Sequence, residues 1–167
     1  MKTVVLVRHA KSSWDQPGQK DFDRVLAPRG RKDVPKMAHL IKEKGILPDK
    51  LVSSPAARAV ETSEAFAREN NIAIEDIQLD ETIYEAMPQD LEKVVLNLSS
   101  DWDTVFLFGH NPGFTMFANR YSEGFRFDNV PTCGIVIIQS SSDNWADFHP
   151  GQAKISQWYF PKECIHC

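Results

Sequence analysis

The sequence predicts an α/β fold, a three-layer α/β/α sandwich around a mostly parallel central sheet with an antiparallel edge strand. Three observations carry this. Short apolar runs without polar alternation recur along the 167 residues, as in strands buried on both faces. Segments of helical period separate them, the pattern of successive β–α–β units. One late segment alternates instead, as a strand with one wet face does.

The first strand covers residues 3–7 (TVVLV) and delivers Arg8 and His9 where it leaves the core. Residues 29–44 form an amphipathic helix through Val34, Met37, Ala38, Leu40 and Ile41, closed by Gly45. KLVS at 50–53 is the second strand. Ser53-Ser54-Pro55 then reads as a helix start, a serine cap followed by proline in the first turn, with a helix over 56–69. After a short strand, residues 89–98 place Leu91, Val94, Val95 and Leu98 on one helical face. TVFLF (104–108) and GIVII (134–138) are further strands, and a fourth helix starts at Pro112-Gly113 and runs to Tyr121. SSSDNW reads as a hairpin-like turn before the alternating edge strand at 152–160. No repeat or linker interrupts the chain, so a single domain over 1–167 is expected.

Composition excludes several classes. Apolar residues make up 42% and charged residues 25%, ordinary for a globular protein. A net charge of −4 without a lysine- or arginine-rich block gives no footprint for nucleic acid. No apolar run approaches the ~20 residues of a membrane span, and VVLV is too short for a signal peptide. A cytoplasmic location and no membrane partner are expected. Three cysteines argue against a disulfide framework. Cys133 is expected to be a small buried hydrophobe. Cys164 and Cys167, with His166 between them, lack further ligands for a metal site, and a loose tail over these last residues is expected.

Three of the strand-like runs end in an unusual polar group: Arg8-His9, then Ser53-Ser54-Pro55 with Arg58 just beyond, then Gly109-His110-Asn111-Pro112-Gly113. Parallel strands place their carboxyl ends on one edge of a sheet, where open α/β folds bind ligands. Two histidines and two arginines can therefore meet in one crevice. Arginine supplies a planar fork of donors matched to phosphate oxygens. A neutral imidazole can attack phosphorus and hold the group covalently. A helix starting at Pro55 would aim N–H groups at the same anion. This set needs no metal and no cofactor and suits phosphoryl transfer through a phosphohistidine.

These segments carry a family resemblance. LVRHAKSSWD is similar to the R-H-G signature of the histidine phosphatase superfamily, with its phosphoglycerate mutase-like fold. SSPAARAVETSEAF resembles that family's second-arginine segment, and FGHNPG resembles its second-histidine segment. Small size, the H-A-K opening and GHNPG look most like SixA-like phosphohistidine phosphatases. The resemblance implies that His9 is the phosphorylated nucleophile and that Arg8, Arg58 and His110 complete the phosphate pocket, His110 by donating a hydrogen bond. Arg24 in DFDRVLAPRG matches a family R-x-L segment, implying a further phosphate contact; the other reading is a surface arginine in a loop. Ser12 resembles a phosphate-side loop position or is a turn cap. Asn111 joins them as a substrate contact. Glu85 in DETIYEAMP is similar in placement to the family's general acid, Glu81 less so; the other reading is an exposed loop glutamate.

Two departures stand out. Ala10 replaces the signature glycine, tolerable unless that residue needs positive φ. Asp15 stands where many members carry asparagine, and its carboxylate is expected to point away from the pocket. Trp14 and Trp102 either line the pocket or pack in the core, and packing is the expectation.

The segments between motifs are short, leaving little material for a lid, so the resemblance and the open pocket together imply a protein phosphohistidine phosphatase acting in signal transduction. The alternative is a small-molecule phosphomonoesterase. A non-catalytic phosphate-binding module would need neither histidine as nucleophile. A metal-dependent hydrolase would want an H-x-x-x-H pair or a carboxylate cluster. A cysteine phosphatase would need arginine where Gln139 follows Cys133. Nothing in the residues sets an oligomeric state; a monomer suffices for the expected site.

Overall fold

The computed structural model describes residues 1–163. The expectation about Cys164, His166 and Cys167 lies outside the described residues. Strands β1 (Lys2–Arg8), β2 (Lys50–Ser53), β3 (Gln78–Leu79), β4 (Thr104–Gly109), β5 (Ile135–Ser140) and β6 (Ala153–Tyr159) form one sheet in the order β3-β2-β4-β1-β5-β6. Helices α1 (Pro28–Glu43), α2 (Ala57–Glu69), α3 (Pro88–Leu96) and α4 (Gly113–Asn119) cover its two faces.

The unalternating runs feed two cores at once. Val5 and Val7 of β1, with Phe106 and Phe108 of β4, pack under α1 and α2 against Val34, Met37, Ile41 and Phe66. Val4, Leu6, Val105 and Leu107 face the other way, against Leu91 and Val95 of α3 and Phe114 and Phe117 of α4. A strand sandwiched between two helical layers has no face to leave polar. Helix α1 stops where Lys44 caps it and Gly45 adopts φ +79, a conformation glycine enters without Cβ strain. At α3, Asp90 accepts the Met87 N–H at 2.9 Å and Pro88 occupies the first turn.

β1 to β4 run parallel to one another, and β6 is an edge strand antiparallel to its neighbour, both as expected. The sequence gives no sign that β5 itself reverses: it pairs antiparallel with β1, so β6 returns to the direction of the parallel set. The β5–β6 connection is also longer than a hairpin turn. It includes a 3-10 turn at Trp145–Asp147 that buries Trp145 and places its Nε1 on the Ser99 and Trp102 carbonyls. Trp102 packs at the edge of the core, as expected.

Candidate functional site

The strand order places β2, β4 and β1 side by side, with Ser53 opposite Phe108 and Arg8 opposite Gly109. Backbone bonds carry this register past the strand ends: His9 N–H donates to Gly109 O at 3.0 Å and Ser54 N–H to Phe108 O at 2.9 Å. His9, His110 and Ser54 thus stand in a row along the carboxyl edge. The histidine ring centroids are 5.3 Å apart. A cavity of about 370 Å³ opens here, and Arg8, His9, Ser12, Arg24, Arg58, Glu85, His110 and Asn111 all line it.

The two imidazoles are tethered through opposite nitrogens. His9 Nδ1 lies 2.7 Å from Ala10 O; a carbonyl can only accept, so Nδ1 carries the proton and Nε2 keeps its lone pair. Burial, opposed by that hydrogen bond and reinforced by the charges of Arg58, Arg8 and Arg24, pushes the His9 pKa down to about 4. The ring is therefore neutral at pH 7. His110 instead places Nε2 at 2.8 Å from Ser54 Oγ. Ser54 Oγ also accepts the Ala56 N–H at 3.2 Å, so its own proton is available to Nε2. With the hydroxyl donating, the His110 proton sits on Nδ1; the tautomer is assigned from these partners. Nδ1 is buried without a protein partner among the described residues. Burial, then the charges of His9, Arg58 and Arg8, take the His110 pKa to about 3.

The arginines are held just as firmly. Arg8 Nη1 donates to Val130 O at 2.9 Å. Arg58, 5% exposed, donates from Nη1 to Asp21 O and from Nη2 to Asp21 Oδ2 at 2.7 and 3.0 Å. Arg24 is 7% exposed, which removes the surface-loop reading. It donates to Ser12 Oγ at 2.7 Å and from Nε and Nη2 to Asp21 Oδ1. The Nε atoms of Arg8 and Arg58 are buried without a protein partner among the described residues. Buried donors without a partner are costly, and all three belong to residues that line one pocket.

Helix α2 begins at Ala57, later than the Ser53-Ser54-Pro55 pattern predicts, and Ala56 provides no side-chain cap. Ser54 bonds His110 while accepting the Ala56 N–H just ahead of the helix. Thr62 then ties α2 to the first strand end, donating to Arg58 O and accepting the Ala10 N–H. Ala10 is fully buried and is not among the residues of positive φ, so replacing the signature glycine costs no backbone strain. Gly30 lets α1 lie against the Lys11 carbonyl, where any Cβ would collide with backbone.

The sequence reading misses Asp21, the hub of this network. Its carboxylate takes Arg24 on one oxygen and both Arg58 and the Tyr84 hydroxyl on the other. Burial alone would raise its pKa, but hydrogen bonds from Tyr84, Arg58 and Arg24 bring it down to about 2. Tyr84, whose pKa rises through burial and its bond to Asp21, completes the wall edge-on to His110 at 5.5 Å. The available signal was an acid three residues before Arg24 in DFDR. The pocket is therefore not free of carboxylates.

Two more outcomes correct the sequence reading. Asn111 lines the cavity, yet Nδ2 donates to Asn129 and Val130 while Oδ1 accepts from the backbone and hydroxyl of Thr115. Its side chain is spent on scaffolding, leaving no group for substrate. Trp14 does not pack in the core: it is 72% exposed at the rim, with the Arg24 guanidinium 3.6 Å above its ring. Glu85 is exposed at the mouth with φ 57, a left-handed backbone unusual outside glycine; Glu81 does not line the cavity. Asp15 is exposed and outside the lining. Cys133 is buried, with its thiol pKa pushed well up by that burial, so it offers no thiolate. Among the described residues, no three His, Cys, Asp or Glu side chains converge on a metal-sized site, and no helix is long and apolar enough to cross a membrane.

Neutral imidazole, guanidinium groups and buried donors without partners thus gather around one small cavity. Residues 4–107 match the model of the histidine phosphatase superfamily, branch 1, and the chain belongs to that superfamily. It is a phosphatase. The match ends before FGHNPG, so His110 enters the site through the fold. An uncharacterized chloroplastic protein of Arabidopsis thaliana is 27% identical over 154 residues, spanning 87% of this chain and 70% of that protein. A structure described as that of the putative phosphohistidine phosphatase SixA from Agrobacterium tumefaciens superposes with a TM-score of 0.77 at 25% identity, over 95% and 97% of the two chains. The protein histidine phosphatase SixA complexed with tungstate superposes at 0.80 with 17% identity, over 97% and 99%.

Proposed function

We propose that this protein removes phosphate from phosphohistidine side chains of other proteins, through a phosphohistidine formed on its own His9. The observation that carries the reading is the His9 Nδ1–Ala10 O bond, which leaves Nε2 as the lone-pair nitrogen in a pocket of buried, unpartnered donors. In the first step His9 Nε2 forms a bond to phosphorus while the P–N bond to the substrate imidazole breaks, and the leaving nitrogen takes up a proton. In the second, water attacks the phosphorylated His9, releasing inorganic phosphate and restoring the neutral ring. Arg8, Arg58 and Arg24 hold the phosphoryl oxygens, and His110 Nδ1–H donates to the one on which charge develops.

Two features favour phosphohistidine over an alcohol ester. Asp21 is committed to its arginines and ionised at neutral pH, so it supplies no proton. Glu85 stands exposed at the rim, whereas general acids for alcohol leaving groups are usually carboxylic acids kept protonated by apolar surroundings. A phosphoramidate nitrogen leaves with less help. The SixA structures similar to this chain, one of them holding the tetrahedral anion tungstate, support the same reading.

The test is a side-by-side assay on a phosphohistidine protein, a sugar phosphate and an aryl phosphate, with trapping of the phosphoenzyme. The phosphohistidine protein is expected to give the highest kcat/KM, and label is expected on His9. Glu85→Gln is expected to slow the esters by about tenfold and phosphohistidine by less than about twofold. A preference for the sugar phosphate would replace this reading with a small-molecule phosphomonoesterase, and equal loss on all substrates would remove Glu85 as the acid.

A further inference from the structure

A second, larger depression of about 1490 Å³ runs away from the catalytic cavity and shares Arg8, Lys11 and Thr132 with it. One bank is the outer face of α1; the other is the 125–131 segment with the end of β6. Its size is out of proportion to a phosphate group, and its shared wall begins at the phosphate pocket.

The chemistry of the banks is mixed in a specific way. Phe125 and Phe127 pack on Trp158, with ring centroids at 5.0 and 5.3 Å, and Trp158 stays 37% exposed. Of the carboxylates along the groove, Asp33 pairs with Arg29 at 3.9 Å and Glu43 bonds His39 at 3.0 Å. Counting Lys and Arg against Asp and Glu, six cations face four carboxylates along the groove. Among the described residues Lys11, Lys36 and Arg126 form no ion pair. An excess of cations is concentrated here on a chain whose net charge is −4.

We propose that this groove docks the polypeptide flanking the phosphorylated side chain, and that the flank it selects is acidic with an apolar residue to cover Trp158. The proposal rests on the protein-phosphatase reading and adds the identity of the recognised segment. Continuity with the catalytic cavity puts the flank in reach of the groove while its phosphoryl group faces His9. Opposed charges set encounter rate and choice of partner, and an exposed aromatic beside a polar rim is the common anchor of such contacts.

The experiment compares three probes: a phosphohistidine peptide with aspartate and glutamate flanks, the same peptide with lysine flanks, and free phosphohistidine. Wild type is expected to favour the acidic peptide over the lysine peptide by about tenfold in kcat/KM, mainly through KM. The exposed-surface double variant Lys36→Glu with Arg126→Glu is expected to erase that preference while leaving free phosphohistidine within about twofold of wild type. Trp158→Ala is expected to raise KM for both peptides and not for the free amino acid. Turnover of all three probes with no flank preference overturns the groove alone, as does an equal loss on free phosphohistidine in the variants. Hydrolysis of an aryl phosphate with no turnover of any phosphohistidine probe overturns the function reading, and the groove proposal with it.

Discussion

The ends of β1 and β4 sit in register, and each delivers a histidine to the same cavity. What tethers each ring differs. At the end of β1 the tether is a backbone carbonyl, which accepts and nothing else. At the end of β4 it is a serine hydroxyl, which can also give. The carbonyl fixes His9 as a ring with its lone pair on Nε2; the hydroxyl lets His110 present a proton on Nδ1. On the proposed mechanism, identical side chains on neighbouring strands thereby act as nucleophile and donor. The residue type announces imidazole chemistry, and the atom on the far side of the ring decides which half of it is performed.

That contrast can be broken most severely at the rings themselves. His9→Ala is expected to abolish the phosphoenzyme and lower turnover by about 10⁴-fold or more. His110→Ala is expected to lower turnover by about 10²- to 10³-fold while label still accumulates on His9, the scale of losing one preorganised donor. Label on His110 in the His9 variant would reverse the two roles.

A smaller effect sharpens it. Ser54→Ala leaves both rings in place but frees the His110 tautomer, so kcat is expected to fall about tenfold with KM little changed. Ser54→Thr keeps a hydroxyl and is expected to restore most of the rate. A purely structural serine would show no such rescue and would shift thermal stability instead.

The mildest probe is pH. Both histidines have folded pKa values, about 4 and about 3, below their ordinary 6.5. His9, the proposed nucleophile, is neutral above its folded value, so activity is expected to persist through pH 5 and to fall as pH drops through about 4. Linkage has the same sign: the unfolded chain takes up these protons first, so stability is full above pH 6.5 and declines below it toward pH 3. Asp21, depressed to about 2, acts in the same direction below its ordinary 3.8. Thermal melts across this range are expected to show a shallower decline in the His9→Ala, His110→Ala double variant. An acid limb centred near 6.5 would contradict the buried, neutral His9.

Much of this site was legible because it lies at the ends of contiguous apolar runs. VVLVRH and TVFLFGH announce both a strand and what the strand carries, and all eight expected residues line the cavity. The silent parts depend on contacts made across space. Asp21 sits in a short 3-10 turn, Asp21–Asp23, without apolar periodicity, and its importance comes from where Arg58 and Tyr84 end, 37 and 63 residues away. Asn111 reads as polar and available, and only its bonds to Asn129, Val130 and Thr115 show it is spent. The direction of β5 is invisible for another reason: GIVII is equally apolar whichever way it runs. Trp14 takes the pocket-lining place rather than the expected core position, because Arg24 stacks on its ring at the rim.

Asp21 has one more consequence. A cradle built only from guanidinium groups would hold inorganic phosphate tightly, and a hydrolase must surrender that product every cycle. Placing a carboxylate among the cations tempers their pull and keeps each fork aligned between turnovers. On the proposed function, the same acid that keeps the cradle in shape would ease its emptying.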